Sequence, residues 1–483
     1  MKQRQVIREP RMRLNPAARS FVVAVAAVAM LAAGVFVLRA QNGRNDISGV
    51  IAGGERPAIA VPDLRGSGEA QQHMDVFNTT LWNELEGSGV LKMVSKSLYP
   101  LDIPQVPGDF KPPTVTNPVQ RGKQSQTIKN GPWLTDWTSP PVQANYLAFG
   151  YTGVQEGRLV LFGWLFNVGQ PEVQSAQVIG KLYFGDLNAA GARQVARDFA
   201  ADILKQFGGQ SLSGSKIYFV SDRTGNKEIW SMDYDGANQK ALTSYKSISS
   251  MPAVSPDGKM VAFTTYARGN PQIMIHSTET GRRLNFYNPV SSVVETPEFT
   301  PDGKHLLFAT SIDGWVQLAM ANLDGGQMHR LSQVRAIEVS PKVNPKTGTD
   351  ILFISGRSGS NEQLYRMNLE GGDLERLTTG EGYVDNPSWS PDGHHIAFAW
   401  TRGYEPGQFN IFVMDVGDRK YVQLTHGNGR NENPYWAPDG AHLVFSIKRG
   451  TTQIYTMLAD GTEVHQLTTQ GNNLQPVWAK GIN

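Results

Sequence analysis

The chain of 483 residues has no cysteine, which excludes disulfides, thiolate zinc sites, iron–sulfur clusters and a cysteine nucleophile. Charge is sparse as well: 18% of residues are Asp, Glu, Lys or Arg, with a net charge of +2. The balance is uneven, because residues 1–40 hold seven Lys or Arg against the single acid Glu9, so the remaining chain carries −4. A mildly acidic body does not suit a phosphate-backbone binder, and no nucleic-acid partner is expected. No Gly-x-Ser-x-Gly elbow, Walker loop, His-Glu-x-x-His or EF-hand string occurs; the nearest approach, Gly209-Gln210-Ser211-Leu212-Ser213, lacks the final glycine. The nine histidines are scattered, and the adjacent pair His394-His395 projects to opposite faces of a strand. No metal, cofactor or small-molecule substrate is expected. What the chain does have is turn-formers and aromatics together: Gly and Pro make 78 residues, about 16%, beside 20 Phe, 15 Tyr and 10 Trp. That combination points to many short strands around a large core.

The first forty residues read as an address. Six basic residues precede an uncharged apolar run, Phe21 to Leu38, and Ala40 stands before the polar Gln41-Asn42-Gly43, the layout of a secretory signal over residues 1–40. An uncleaved anchor is the alternative, since 18 helical residues reach ~27 Å, close to the hydrocarbon thickness of a bilayer. The positive flank sends the rest of the chain across the membrane in either case.

Self-similarity dominates residues 211–483. Ser255-Pro256-Asp257-Gly258 recurs as Thr300-Pro301-Asp302-Gly303, Ser390-Pro391-Asp392-Gly393 and Ala437-Pro438-Asp439-Gly440, with the aspartates 45, 90 and 47 residues apart. A worn copy, Asn344-Pro345-Lys346-Thr347-Gly348, fills the long gap in phase. A second ladder, Phe219, Phe263, Phe308, Phe353, Phe398 and Phe445, has steps of 44, 45, 45, 45 and 47. A third is the proline opening each unit: Pro252, Pro297, Pro341, Pro387, Pro434 and Pro476. Within a unit, alternating runs such as His395 to Trp400 and Asn410 to Met414 read as strands between turns. Four antiparallel strands per unit of this length make a propeller blade. Residues 216–243 supply three strands, and Pro476-Val477-Trp478 is an unpaired copy of the missing one. The reading is an all-β six-bladed propeller in which both ends of the repeat region complete blade one.

Residues 41–210 do not repeat. Strands are expected at Ala58 to Val61, Leu91 to Val94, Tyr146 to Tyr151, Arg158 to Val168 and Ala176 to Phe184. Helices are expected at Gln71 to Leu85 and Ala192 to Phe207, giving an N-terminal α/β domain on one mixed sheet. Residues 101–141, rich in Pro, Thr, Gln and Gly, read as a long irregular connection without an assigned role. Gly208 to Gly214 reads as the linker to the ring.

The candidate site follows from the prolines. The residues just before them are Met251, Thr296, Ser340, Asn386, Asn433 and Gln475; with Glu295, Asp385, Glu432 and Asn473 they fall at the start of the innermost strands and crowd one mouth of the channel. Their polar and acidic character suits gripping a protein surface, although solvated strand ends would look the same. The repeated Asp257, Asp302, Asp392 and Asp439 are expected to cap their own turns rather than form a catalytic ring.

A signal sequence, a small α/β module and six blades with Ser-Pro-Asp-Gly turns resemble the TolB family of the Tol–Pal system. Gly53-Gly54-Glu55-Arg56-Pro57-Ala58-Ile59-Ala60-Val61-Pro62 is similar to that family's opening strand, and Ala190 to Leu204 to its helix leading into the propeller. The resemblance implies a monomeric, non-enzymatic periplasmic adaptor serving outer-membrane integrity, cell division and transport. It implies that the propeller mouth binds the lipoprotein Pal. It also implies that the segment Gln41 to Gly53, with Asn45, Asp46 and Ile47, engages the inner-membrane protein TolA. Alternatives are a propeller scaffold or sensor for another extracytoplasmic partner, and a propeller peptidase or glycosidase, which would need a nucleophile–His–acid set or paired carboxylates.

Overall fold

The structure, a computed structural model, describes residues 56–116 and 126–481 apart from Ser360, Glu381, Tyr404, Pro406 and Asn428. Six four-stranded antiparallel sheets form the propeller. Blades two to six each begin with an innermost strand: Ser249–Val254, Val294–Phe299, Glu338–Val343, Val384–Trp389 and Arg430–Trp436. Blade one is composite. The strand Asn473–Ala479 pairs antiparallel with Lys216–Ser221, from Asn473 opposite Ser221 to Ala479 opposite Lys216, with one shift of register between Leu474 and Val477. The ring is closed as expected, and the edge of Lys216–Ser221 is covered.

The three sequence ladders acquire physical roles. All six phenylalanines of the 45-residue ladder are fully buried in the second strand of their blades, each worth roughly 1.5–3 kcal/mol of transfer energy. The turn aspartates cap their turns: Asp257 and Asp302 each accept the backbone N–H two residues on at 3.0 Å, and Asp392 and Asp439 do so at 2.9 Å. Ser255 and Thr300 hydroxyls donate to the same carboxylates at 2.6 Å. In the worn copy the Asn344 side chain takes over and accepts the Lys346 N–H at 2.9 Å.

A fourth ladder becomes visible only in the structure. Thr243, Ser332, Thr378, Thr425 and Thr468, each after a leucine, stand two residues beyond the outer strand of a blade. Each hydroxyl accepts a backbone N–H of the third strand at 2.8–3.1 Å. Thr468 also donates to Gln453, whose carbonyl accepts from Asn473 of the next blade. The outer edge of one blade is thereby tied to the inner strand of its neighbour.

The α/β region is built on the sheet order Lys92–Met93, Ala58–Ala60, Tyr146–Gln155, Arg158–Asn167, Gln177–Asp186. The first two junctions are parallel and the last two antiparallel. One face is covered by the helices Met74–Glu86 and Ala189–Gln206, which bury Phe77, Leu81, Val195, Phe199 and Ile203. The second helix starts one turn earlier than its apolar spacing suggests, because Asn188 caps it by accepting the Gly191 N–H at 2.8 Å. The opposite face is covered by the stretch to which the sequence assigned no role. It contains a short hairpin, Thr114–Thr116 with Gln126–Ile128, and the single turn Thr135–Thr138. Its Phe110, Leu134 and Trp137 pack on Leu147, Phe149 and Phe166 of the sheet. Residues from Glu55 onward form one compact unit. Gly89 shows how close the α/β region approaches the ring: with φ +70°, a Cβ there would lie 2.6 Å from Leu458 Cδ2.

Candidate functional site at the propeller mouth

Each innermost strand carries a bulge at the residue preceding its proline. Pairing with the second strand shifts register there in all six blades. Met251, Thr296, Ser340, Asn386, Asn433 and Gln475 all adopt φ between 52° and 56°, a left-handed conformation costing a non-glycine residue ~1–2 kcal/mol. The bulge frees one backbone N–H from the ladder, and the next residue, proline, has none to offer.

Neighbouring blades satisfy four of those freed amides. Met251 N–H donates to Gln475 Oε1 at 2.8 Å, Ser340 N–H to Thr296 Oγ1 at 3.3 Å, and Gln475 N–H to Asn433 Oδ1 at 3.4 Å. Three of the six side chains thus reach the next blade around the ring. Thr296 N–H turns instead to Thr264 Oγ1 at 3.1 Å, and Asn386 N–H to Asp385 Oδ1 at 2.7 Å. Most of the strained residues are held by contacts between blades, so the mouth is a preorganised collar.

The collar surrounds a cavity of about 360 Å³. Nine of the ten expected mouth residues line it: Met251, Glu295, Thr296, Ser340, Asp385, Asn386, Glu432, Asn433 and Gln475. Asn473 does not. It is fully buried, with its amide donating to Gln453 and to the Gln470 carbonyl and its oxygen accepting from Arg223 at 2.9 Å. It joins blades where the sequence reading expected it to face the channel. Asn45, Asp46 and Ile47 lie outside the described residues.

The rim is acidic. Burial raises the Glu295 carboxyl above its ordinary range. Burial pushes Asp385 up to about 6, with Glu432 and Glu362 adding to the effect against the Asn386 amide and Arg430. Arg430 Nε sits 2.8 Å from Glu432. Deeper in the channel Lys342 Nζ pairs with Glu298 at 2.6 Å, below the Tyr435 ring 5.7 Å away. Sequence reasoning missed this pair, although both residues follow their collar prolines directly (Pro341-Lys342, Pro297-Glu298). Among the described residues no group of three or more His, Asp or Glu is placed to hold a metal ion. The arrangement offers a small proline-walled socket with an anionic rim, suited to receiving side chains of a docked protein.

The chain matches the family model described as the TolB beta propeller domain over residues 210–405 and 381–481. It is 35% identical over 305 residues to a protein TolB homolog of Chlorobium luteolum, covering 62% of this chain and 68% of that one. To a protein TolB homolog of Chlorobium chlorochromatii it is 34% identical over 213 residues, covering 44% of this chain and 46% of the relative, so the match spans under half of that relative's length. A crystal structure of TolB from Acinetobacter baumannii shares the fold, with a TM-score of 0.68 at 20% identity over 88% of this chain and 97% of that one.

Proposed function

From the premise that the chain belongs to the TolB family, we propose that it is a non-enzymatic periplasmic adaptor of the Tol–Pal system that captures the lipoprotein Pal at the propeller mouth. The observation that carries this reading is the collar: six left-handed residues, four of them with backbone amides bonded across to a neighbouring blade, around an acid-rimmed cavity. Strain of that kind persists where the surrounding structure enforces it, and it is concentrated at binding sites. The α/β region contacts the opposite ends of the blade strands, through Leu458, Asp460 and His442, which leaves the mouth open to a partner. In the same reading the segment 41–53, with Asn45, Asp46 and Ile47, engages TolA, and the adaptor acts as a monomer in outer-membrane integrity, envelope constriction and transport.

The test is Glu295→Lys combined with Glu432→Lys. Both side chains line the mouth, so the double variant loses Pal in a pulldown while its thermal transition stays within a few degrees of the parent. Undiminished capture by a folded double variant refutes the mouth as the Pal site.

A further inference from the structure

The α/β region meets the ring through a few polar contacts, and one of them requires a proton. His442 opens the second strand of blade six, His442–Arg449, just after the Ala437-Pro438-Asp439-Gly440 turn. Its Nδ1 lies 2.6 Å from Asp439 Oδ2 and its Nε2 lies 2.6 Å from the carbonyl oxygen of Gly87. Both partners are acceptors, so both ring nitrogens must donate, and only the imidazolium does that. Gly87 caps the helix Met74–Glu86, whose C-terminal end carries the negative pole of the helix dipole. The cation is thus held by a carboxylate from its own turn and by a helix end from the other region.

We propose that His442 is a pH-gated latch that holds the α/β region against the propeller. When neutral, the ring gives up one of its two hydrogen bonds and turns a lone pair toward an acceptor. Asp439 shares a turn with His442 and stays with it whether or not the regions part, so the hydrogen bond to the Gly87 carbonyl is the one that breaks on opening. The surrounding charges belong to a cavity of about 820 Å³ between the regions. Glu463 and Asp235 on the ring and Glu84 and Glu86 on the helix are of the sign that favours the cation, while Arg193, Arg197 and a protonated His465 oppose it. Burial alone lowers the affinity of the imidazole for its proton; the Asp439 carboxylate and the Gly87 carbonyl outweigh it and leave the pKa above the ordinary value. The sign follows. Latch energy is fully present below the pKa of the open form, where Asp439 still faces the ring, and is lost as pH climbs through the higher value of the closed form.

The absence of cysteine makes the test direct. Gln155→Cys in the α/β region and Glu279→Cys in blade two, both exposed positions, carry a pair of spin labels on the full chain, and the distance between regions is measured by pulsed electron resonance from about pH 5.5 to about pH 9. The open population grows with pH, by at most about tenfold per unit because a single proton is involved. Adding His442→Gln flattens the response, and adding His465→Gln leaves it in place. A response that survives His442→Gln, or that His465→Gln abolishes, overturns the assignment. On the unlabelled parent chain, histidine NMR must show His442 titrating above the ordinary value. Titration at or below that value overturns the proposal whether or not the variants fold.

Discussion

Asp385 illustrates how a binding mouth costs stability. Its carboxyl is pushed up to about 6 chiefly by burial, so the folded protein holds a proton there that the unfolded chain has already released. Between the ordinary carboxylate pKa of about 3.9 and the raised value, the fold therefore loses stability as pH rises, and the full penalty applies above it. Asp385→Asn removes that penalty while its side-chain oxygen still accepts the Asn386 N–H. At pH near 8 the variant melts higher, by a free energy of about 1–3 kcal/mol, and at pH near 4 it matches the parent. Denaturant titrations at the two pH values measure this; equal midpoints at pH near 8 count against a buried ionised Asp385.

At the scale of the element, the blade is a set of local bonds repeated six times with varied side chains. Thr468 supplies two of them, accepting the Ile454 N–H at 2.9 Å and donating to Gln453 at 2.8 Å. Thr468→Val keeps the shape, leaves a buried N–H without its partner and costs about 1–3 kcal/mol. Thr378→Val costs a similar amount, since Thr378 bonds Leu364 N–H and Gln363 at 3.0 Å each. Both values come from urea unfolding midpoints, and a null effect at either position removes the ladder's role. What is legible in the sequence divides along the same line. Turns and core positions tolerate few residue types, so Ser-Pro-Asp-Gly, the phenylalanines and the prolines repeat visibly and yield the blades and their register. The collar residues are Met, Thr, Ser, Asn, Asn and Gln, chemically unlike one another, because what they share is a backbone angle. Proline marks their place but not their φ. Asn473 defies the sequence pattern because neighbouring strand residues face opposite ways, and only packing shows that its amide belongs to Gln453. The cover on the second sheet face stays hidden for a different reason: Phe110, Leu134 and Trp137 are irregularly spaced and follow no period.

For the whole molecule, closure of blade one decides whether there is a ring. Removing residues 472–483 takes away the strand Asn473–Ala479 and bares the edge of Lys216–Ser221. It also removes the bonds from Asn472 to Asp222, at 2.7 and 2.8 Å, and the collar link from Gln475 to Met251. The truncated protein melts more than about 10 °C lower, by an order-of-magnitude estimate from losing a full strand of pairing, and associates through the open edge. Calorimetry and size-exclusion chromatography read the two outcomes; an unchanged melting temperature rejects closure as the source of stability.

The composite blade also sets a timetable. A chain emerging from the ribosome delivers Lys216–Ser221 before blades two to six and its partner strand after them, so the nascent protein carries an unmated edge throughout the synthesis of those blades. A message cut short anywhere in that interval yields a polypeptide that never acquires the seam, which makes the seam a built-in check that the repeat has been translated to its end.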